Sequence, residues 1–119
     1  MRRRILLVED SPDTGQSLMS VLRSMGHEVQ LAIDGASARR AARSSPVDMI
    51  VLDILLPDCT GWELAREFRG EPGLAQAPIV AISGQGSAQD KRRSFDAGCD
   101  YHLVKPLNLR YLESLLTQL

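Results

Sequence analysis

One pattern restricts the fold of this chain more than any other: a short apolar run followed by a stretch of helical character, five times in succession. "RILLV" (4–8) is an apolar run that ends at two acids, and it reads as a buried strand. "TGQSLMSVLRSMG" follows, with Leu18, Val21, Leu22 and Met25 at helical spacing and Gly26 as a stop. "HEVQLA" (27–32) alternates as a strand, and "DGASARRAARSS" offers Asp34 as the cap of an alanine–arginine helix. "VDMIVLD" (47–53) is the clearest strand, and "GWELAREFRG" is a helix ending near Gly70. "APIVAIS" (77–83) is a fourth strand, and "SAQDKRRSFDAG" a polar helix capped by Ser87 and stopped at Gly98. "DYHLVK" is a fifth strand. "NLRYLESLLTQL" closes the set, with Asn108 as cap and Leu109, Leu112, Leu116 and Leu119 on one face.

Alternation of this kind implies an α/β fold, a parallel sheet with helices on both faces. Five strands in a domain of this size fit the doubly wound, flavodoxin-like (βα)5 arrangement with strand order 2-1-3-4-5. The 119 residues suit one domain over 1–119 with a real core. In such sheets ligands bind beyond the carboxyl ends of the strands, where the order reverses.

That rule bears on an oddity in "MIVLDILLPD" (49–58). Asp53 stands among Val51, Leu52, Ile54, Leu55 and Leu56, where a carboxylate is costly unless it is paired or binds a metal. The predicted topology brings Asp53 to the rim with Glu9 and Asp10 from strand one, Ser83 from strand four, and Lys105-Pro106 from strand five. Carboxylates a few ångströms apart repel by about 4 kcal/mol per pair at an effective dielectric near 20. The cluster therefore calls for cations. Lys105 is one, and Mg²⁺ suits a shallow oxygen site that keeps several waters. A carboxylate can attack phosphorus to form an aspartyl-phosphate, and phosphoryl transfer asks mainly for positioning and charge neutralisation. In that chemistry Asp53 is the nucleophile, Glu9 and Asp10 hold the metal, and Ser83 donates to a phosphoryl oxygen.

Composition removes several other classes. Hydrophobic residues make up 44% and charged residues 24%, an ordinary globular balance. A net charge of −1 gives no basic field toward nucleic acid or an anionic membrane. No apolar run has the length of a membrane span, and "MRRRILLVED" is a poor signal peptide. Cys59 and Cys99 read as free thiols of a reducing compartment, so the expected location is cytoplasmic.

"ILLVEDSPD", "VLDILLPDCTG", "IVAIS" and "HLVKP", in this order and spacing, resemble the signature blocks of the response-regulator receiver domain of two-component signalling. The resemblance runs from Arg4 to Leu119. It implies that Asp53 accepts a phosphoryl group from a histidine kinase or histidine phosphotransfer protein. It implies that Asp10, Asp53 and the backbone carbonyl of Leu55 bind Mg²⁺, with Glu9 assisting. Ser83 matches the switch position and Lys105 the phosphate-binding lysine. The peptide before Pro106 is usually cis in the family, and Pro57 and Gly61 match the turn after the phosphoacceptor. The output face would be the fourth helix, fifth strand and fifth helix, a surface that also serves for homodimers. One position departs: where the family usually carries Tyr or Phe this chain has His102, a smaller ring that would fill the inward pocket less well. "YHLVKP" is reminiscent of receivers attached to hybrid sensor kinases.

Three rival readings remain at this level. A phosphatase of the haloacid-dehalogenase type would want a second Asp two residues after the nucleophile, and Leu55 stands there. A flavodoxin-type protein would want a phosphate-binding loop where "EDSPD" repels phosphate. A receiver that binds partners without phosphorylation would not need the acids and Lys105 together. Among the remaining residues, "SGQG" (83–86) lacks the lysine and spacing of a P-loop. His27 reads as a surface residue. Trp62, Leu64, Ala65 and Phe68 read as packing of the third helix, with Trp62 half exposed.

Overall fold

The computed structural model describes residues 2–84 and 86–118. Five strands alternate with five helices in the expected order. They are β1 (Arg4–Val8), α1 (Pro12–Ser24), β2 (Glu28–Ala32), α2 (Gly35–Ser44), β3 (Met49–Asp53), α3 (Gly61–Arg69), β4 (Ile79–Ser83), α4 (Ala88–Asp96), β5 (Tyr101–Val104) and α5 (Leu109–Gln118). The strands form one parallel sheet of order β2-β1-β3-β4-β5. The predicted α/β fold class, doubly wound and flavodoxin-like, is the one observed.

Strand alternation divides the core between the two faces of the sheet. Ile5, Leu7, Met49, Val51, Val80 and Ile82 pack against Leu18 and Leu22 of α1 and Leu112, Leu115 and Leu116 of α5. Leu6, Val8, Ile50, Leu52, Ile79 and Ala81 pack against α2 and α3, through Ala38, Ala41, Leu64, Ala65 and Phe68. β1, β3 and β4 are apolar on both sides because helices cover both sides.

The predicted caps are in place. The Asp34 carboxylate accepts from Ser37 N at 2.7 Å, Ser87 Oγ accepts from Asp90 N at 3.1 Å, and Asn108 Oδ1 accepts from Tyr111 N at 3.1 Å. Gly98 has φ +105°, the left-handed conformation that ends α4. α1 begins at Pro12, two residues before the expected start. Proline at a first helical turn gives up only an N–H that the helix leaves unused, and Asp13 favours the positive end of the helix dipole. Leu119, expected on the inner face of α5, lies outside the described residues.

His27 differs from its predicted surface role. It is 8% exposed, and its Nδ1 accepts the Arg3 N–H at 3.1 Å, an imidazole used as a backbone acceptor beneath the sheet. Burial holds its pKa below the ordinary value. Cys59 and Cys99 are free thiols, as expected, and burial pushes Cys99 up to about 12. Among the described residues, no helix is long and apolar enough to cross a membrane.

Candidate functional site

Each side chain of the site comes from the carboxyl end of a strand or the residues just beyond it. β1 delivers Glu9 and Asp10, β3 ends in Asp53, β4 ends in Ser83, and β5 is followed by Lys105. Parallel pairing sets all these ends at one level: Asp53 aligns with Ile82, and Ser83 with Val104. The Lys105 N–H donates to the Ser83 carbonyl at 2.8 Å, which extends the β4–β5 ladder to the site itself.

The geometry accounts for the carboxylate in an apolar strand. Asp53 is 5% exposed, yet both of its oxygens are engaged. Oδ1 accepts the Leu55 N–H at 3.0 Å, and Oδ2 lies 2.7 Å from Lys105 Nζ. Lys105 Nζ also stands 3.0 Å from Glu9 Oε1, so one ammonium serves two buried carboxylates. Glu9, 2% exposed, turns its other oxygen toward the Ser11 N–H at 3.1 Å. Burial raises the Glu9 pKa, and the hydrogen bonds from Lys105 and Ser11 only partly counter it. For Lys105, burial acts downward, but the bonds to Asp53 and Glu9 carry its pKa above the usual value.

Asp10 completes the group from an exposed position. Carboxylate oxygens of Glu9, Asp10 and Asp53 all lie within 4.8 Å of one another. Three carboxylates against one ammonium leave excess negative charge in a corner that opens to solvent at Asp10. The donors are hard oxygens, the set that suits Mg²⁺. The residues present therefore fit the ion that the sequence implies.

Gly61, at the first position of α3, lets the loop after Asp53 close. A Cβ there would come 2.5 Å from the Asp53 carbonyl oxygen and 2.4 Å from a Leu52 methyl. The bond from Gly61 N to the Ile54 carbonyl, 2.7 Å, needs that approach. The lysine–proline peptide 105–106 is cis, as the resemblance implied. Leu55, the second residue after Asp53, exposes 73% of its surface. A cleft of about 440 Å³ beside it is lined by Ile54, Leu55, Thr60, Trp62, Ser83 and Asp90, among others.

His102 stands apart from this acidic corner. It pairs with Ala81 in the β4–β5 ladder and turns toward α4, while Tyr101 packs on the opposite face against the α1/α5 core. His102 is half-buried, and its Nδ1 lies 2.7 Å from Ser94 Oγ. Ser94 was not singled out in the sequence. Its signal was weak: it shares an inward stripe with Asp90 and Ala97 on an otherwise polar helix. Asp58 was also missed. Its carboxylate accepts the Gly35 and Ala36 N–H groups at 2.7 and 3.0 Å, tying the loop after Asp53 to the start of α2.

Known proteins share the sequence pattern and the fold of this chain. The family model described as the response regulator receiver domain matches residues 5–117. A gliding motility regulatory protein of Myxococcus xanthus is 38% identical over 104 residues, covering 87% of this chain and 13% of that protein. The transcriptional regulatory protein CusR of Escherichia coli K12 is 35% identical over 104 residues, covering 87% of this chain and 44% of CusR. The chain thus spans less than half the length of these two relatives. Among solved structures, chemotaxis response regulator CheY4 of Vibrio cholerae superposes with a TM-score of 0.93 at 29% identity, covering 99% of this chain and 98% of that one. The receiver domain of sensor histidine kinase PA1611 from Pseudomonas aeruginosa PAO1, solved with magnesium coordinated in its active-site cleft, gives 0.89 at 32% identity, covering 99% and 97%.

Proposed function

The chain belongs to the response regulator receiver domain family, and from that premise we propose that it is a phosphoacceptor switch in which Asp53 takes a phosphoryl group from a phosphohistidine donor. The observation that carries this reading is the Lys105 ammonium held between Asp53 and Glu9 at 2.7 and 3.0 Å, inside a three-carboxylate corner. A group built for structure alone would not concentrate so much like charge around one lysine.

In this reading an Asp53 oxygen attacks phosphorus. The new O–P bond forms as the N–P bond to the donor histidine breaks, and the departing imidazole takes up a proton. Asp10, Asp53 and the Leu55 carbonyl would hold Mg²⁺, with Glu9 assisting, and the bound ion would neutralise charge on the transferring phosphoryl oxygens. Lys105 supplies a second positive charge to those oxygens, and the Ser83 hydroxyl donates to one of them. The domain works as a switch and not as an enzyme on a free substrate. Leu55, apolar and exposed, offers no acid/base at the place where a haloacid-dehalogenase phosphatase has one.

The donor would be a histidine kinase or histidine phosphotransfer protein in the cytoplasm. The net charge of −1 favours protein over nucleic acid as the direct partner of this segment. Readout would occur on the face of α4, β5 and α5, where Phe95, Val104 and Tyr111 leave large apolar surface exposed, and where a homodimer would also form. α4 is loosely held, since Ser94 is its one buried residue.

Two measurements test the reading. Calorimetry should give weak Mg²⁺ binding that Asp10→Asn reduces by about tenfold or more, the scale of one lost charge-assisted ligand; unchanged affinity would remove Asp10 from the metal set. Hydrogen exchange with and without beryllofluoride, a phosphoryl mimic, should differ most between Gly84 and Ala97. Differences confined to α2 would contradict the proposed output face.

A further inference from the structure

Two polar contacts that join α4 to its neighbours meet at one atom. Ser94 is 0% exposed. Its Oγ receives the Trp62 Nε1–H from α3 at 3.0 Å and lies 2.7 Å from His102 Nδ1 on β5. The Arg93 guanidinium sits 5.2 Å from the centroid of the Trp62 ring, a second link between α3 and α4. α4 offers little apolar burial to compete with these contacts, and Phe95 on the same helix is exposed.

The donors give the chain a direction. An indole N–H can only donate, so Ser94 Oγ is the acceptor in its bond with Trp62. The hydroxyl still has one proton to give, and His102 Nδ1, 2.7 Å away, completes the chain if the imidazole presents that nitrogen bare. That assignment leaves Nδ1 without a hydrogen and puts the imidazole proton on Nε2. With Ser94 sealed from water, breaking either bond would strand a polar atom in the interior. A shift of α4 must therefore carry the His102 ring with it, or leave both partners unsatisfied.

We infer that Ser94 is the positioning residue of the switch: its hydroxyl, oriented by Trp62, fixes the His102 ring and its tautomer so that α4 and His102 move as one unit. The use made of this coupling rests on the switch reading above, whereas the bond pattern does not. His102 is then already held against α4 in the unphosphorylated protein. The hydrogen bond takes over the task that ring bulk would perform at this position, and so offsets the small size of the imidazole.

Nitrogen-15 NMR of the histidine rings, at a pH where His102 is neutral, tests the bond pattern without any phosphoryl group. Wild type should show His102 as the Nε2–H tautomer. Trp62→Phe removes the directing N–H and leaves the ring otherwise in contact, so His102 should become a mixture of tautomers. Ser94→Ala should shift both the His102 Nδ1 resonance and the Trp62 indole N–H. An Nδ1–H tautomer in wild type, or a tautomer indifferent to both substitutions, would overturn the inference. Beryllofluoride with Mg²⁺ then tests the coupling. In Ser94→Ala the Leu55 amide should respond as in wild type, while the equilibrium constant for the change across Ala88–Asp96 should fall by about two- to thirtyfold. A full response across α4 in Ser94→Ala would overturn the coupling. A wild type in which neither Leu55 nor α4 responds would overturn the switch reading itself, and with it the use of the latch.

Discussion

Glu9 presents the sharpest conflict of any single residue, because it is buried and acidic beside a second buried acid. Its folded pKa lies above the ordinary carboxylate value, with burial as the main cause. Folding without metal therefore makes Glu9 easier to protonate than it is in the unfolded chain. Stability from this group is present below its unfolded pKa and is lost as pH rises through the raised folded value. Glu9→Gln should consequently raise the melting temperature in chelator at neutral pH. The gap between variant and wild type should close below about pH 4.5, where both side chains are neutral. Mg²⁺ should narrow it at neutral pH by stabilising the ionised wild type more than the variant, which keeps Asp10 and Asp53 but loses the assisting carboxylate. Calorimetric melting across this pH range checks the sign, and a gap that does not change with pH would contradict it. Asp53 and Lys105 were legible because their positions fall at strand ends in a simple alternating pattern. His27 was not, because burial of an imidazole beneath a sheet leaves no periodic trace: its partner is a backbone N–H.

At the scale of elements, periodicity located all five strands and all five helices, and the caps Asp34, Ser87 and Asn108 fixed three helix starts. What it could not supply were the joins between elements that carry no apolar repeat. Asp58 bonds the N-terminus of α2 from 22 or more residues away in sequence. Arg69 at the end of α3 reaches the Gly98 carbonyl at 2.9 Å, the Ala77 carbonyl at 2.6 Å and the Asp100 carboxylate at 2.9 Å. Such contacts depend on where side chains end in space, and spacing along the chain does not encode that. Gly61 is an intermediate case: the turn is visible in sequence, but the contact with the Asp53 carbonyl is not. Gly61→Ala should force α3 away from β3 and destabilise the protein by about 1–3 kcal/mol, the usual effect of an overpacked site. It should also slow phosphorylation of Asp53 by displacing the loop that follows it. Denaturant unfolding and phosphorylation rates measured on the same variant should change together; an unfolding midpoint equal to wild type would show that the loop yields freely.

For the molecule as a whole, one sheet performs two tasks. Its carboxyl edge collects three acids, a hydroxyl and a lysine from four strands, and its flank at β5 supports a helix that little apolar surface holds in place. The strand order creates the first, since the acids from β1 and β3 meet where the order reverses. The second depends on the polar composition of α4. In the proposed switch, a phosphoryl group arriving at Asp53 would meet Lys105 directly, and Ser83 precedes the connection to α4, so a local change of charge would bias a weakly held element. The proposed switch depends above all on Asp53 taking up the phosphoryl group. Mass spectrometry of the protein after incubation with acetyl phosphate and Mg²⁺ tests it most directly. One added phosphoryl group should appear, mapped to the peptide containing Asp53 and absent from Asp53→Asn. The same added mass on Asp53→Asn, under the same conditions, would contradict it.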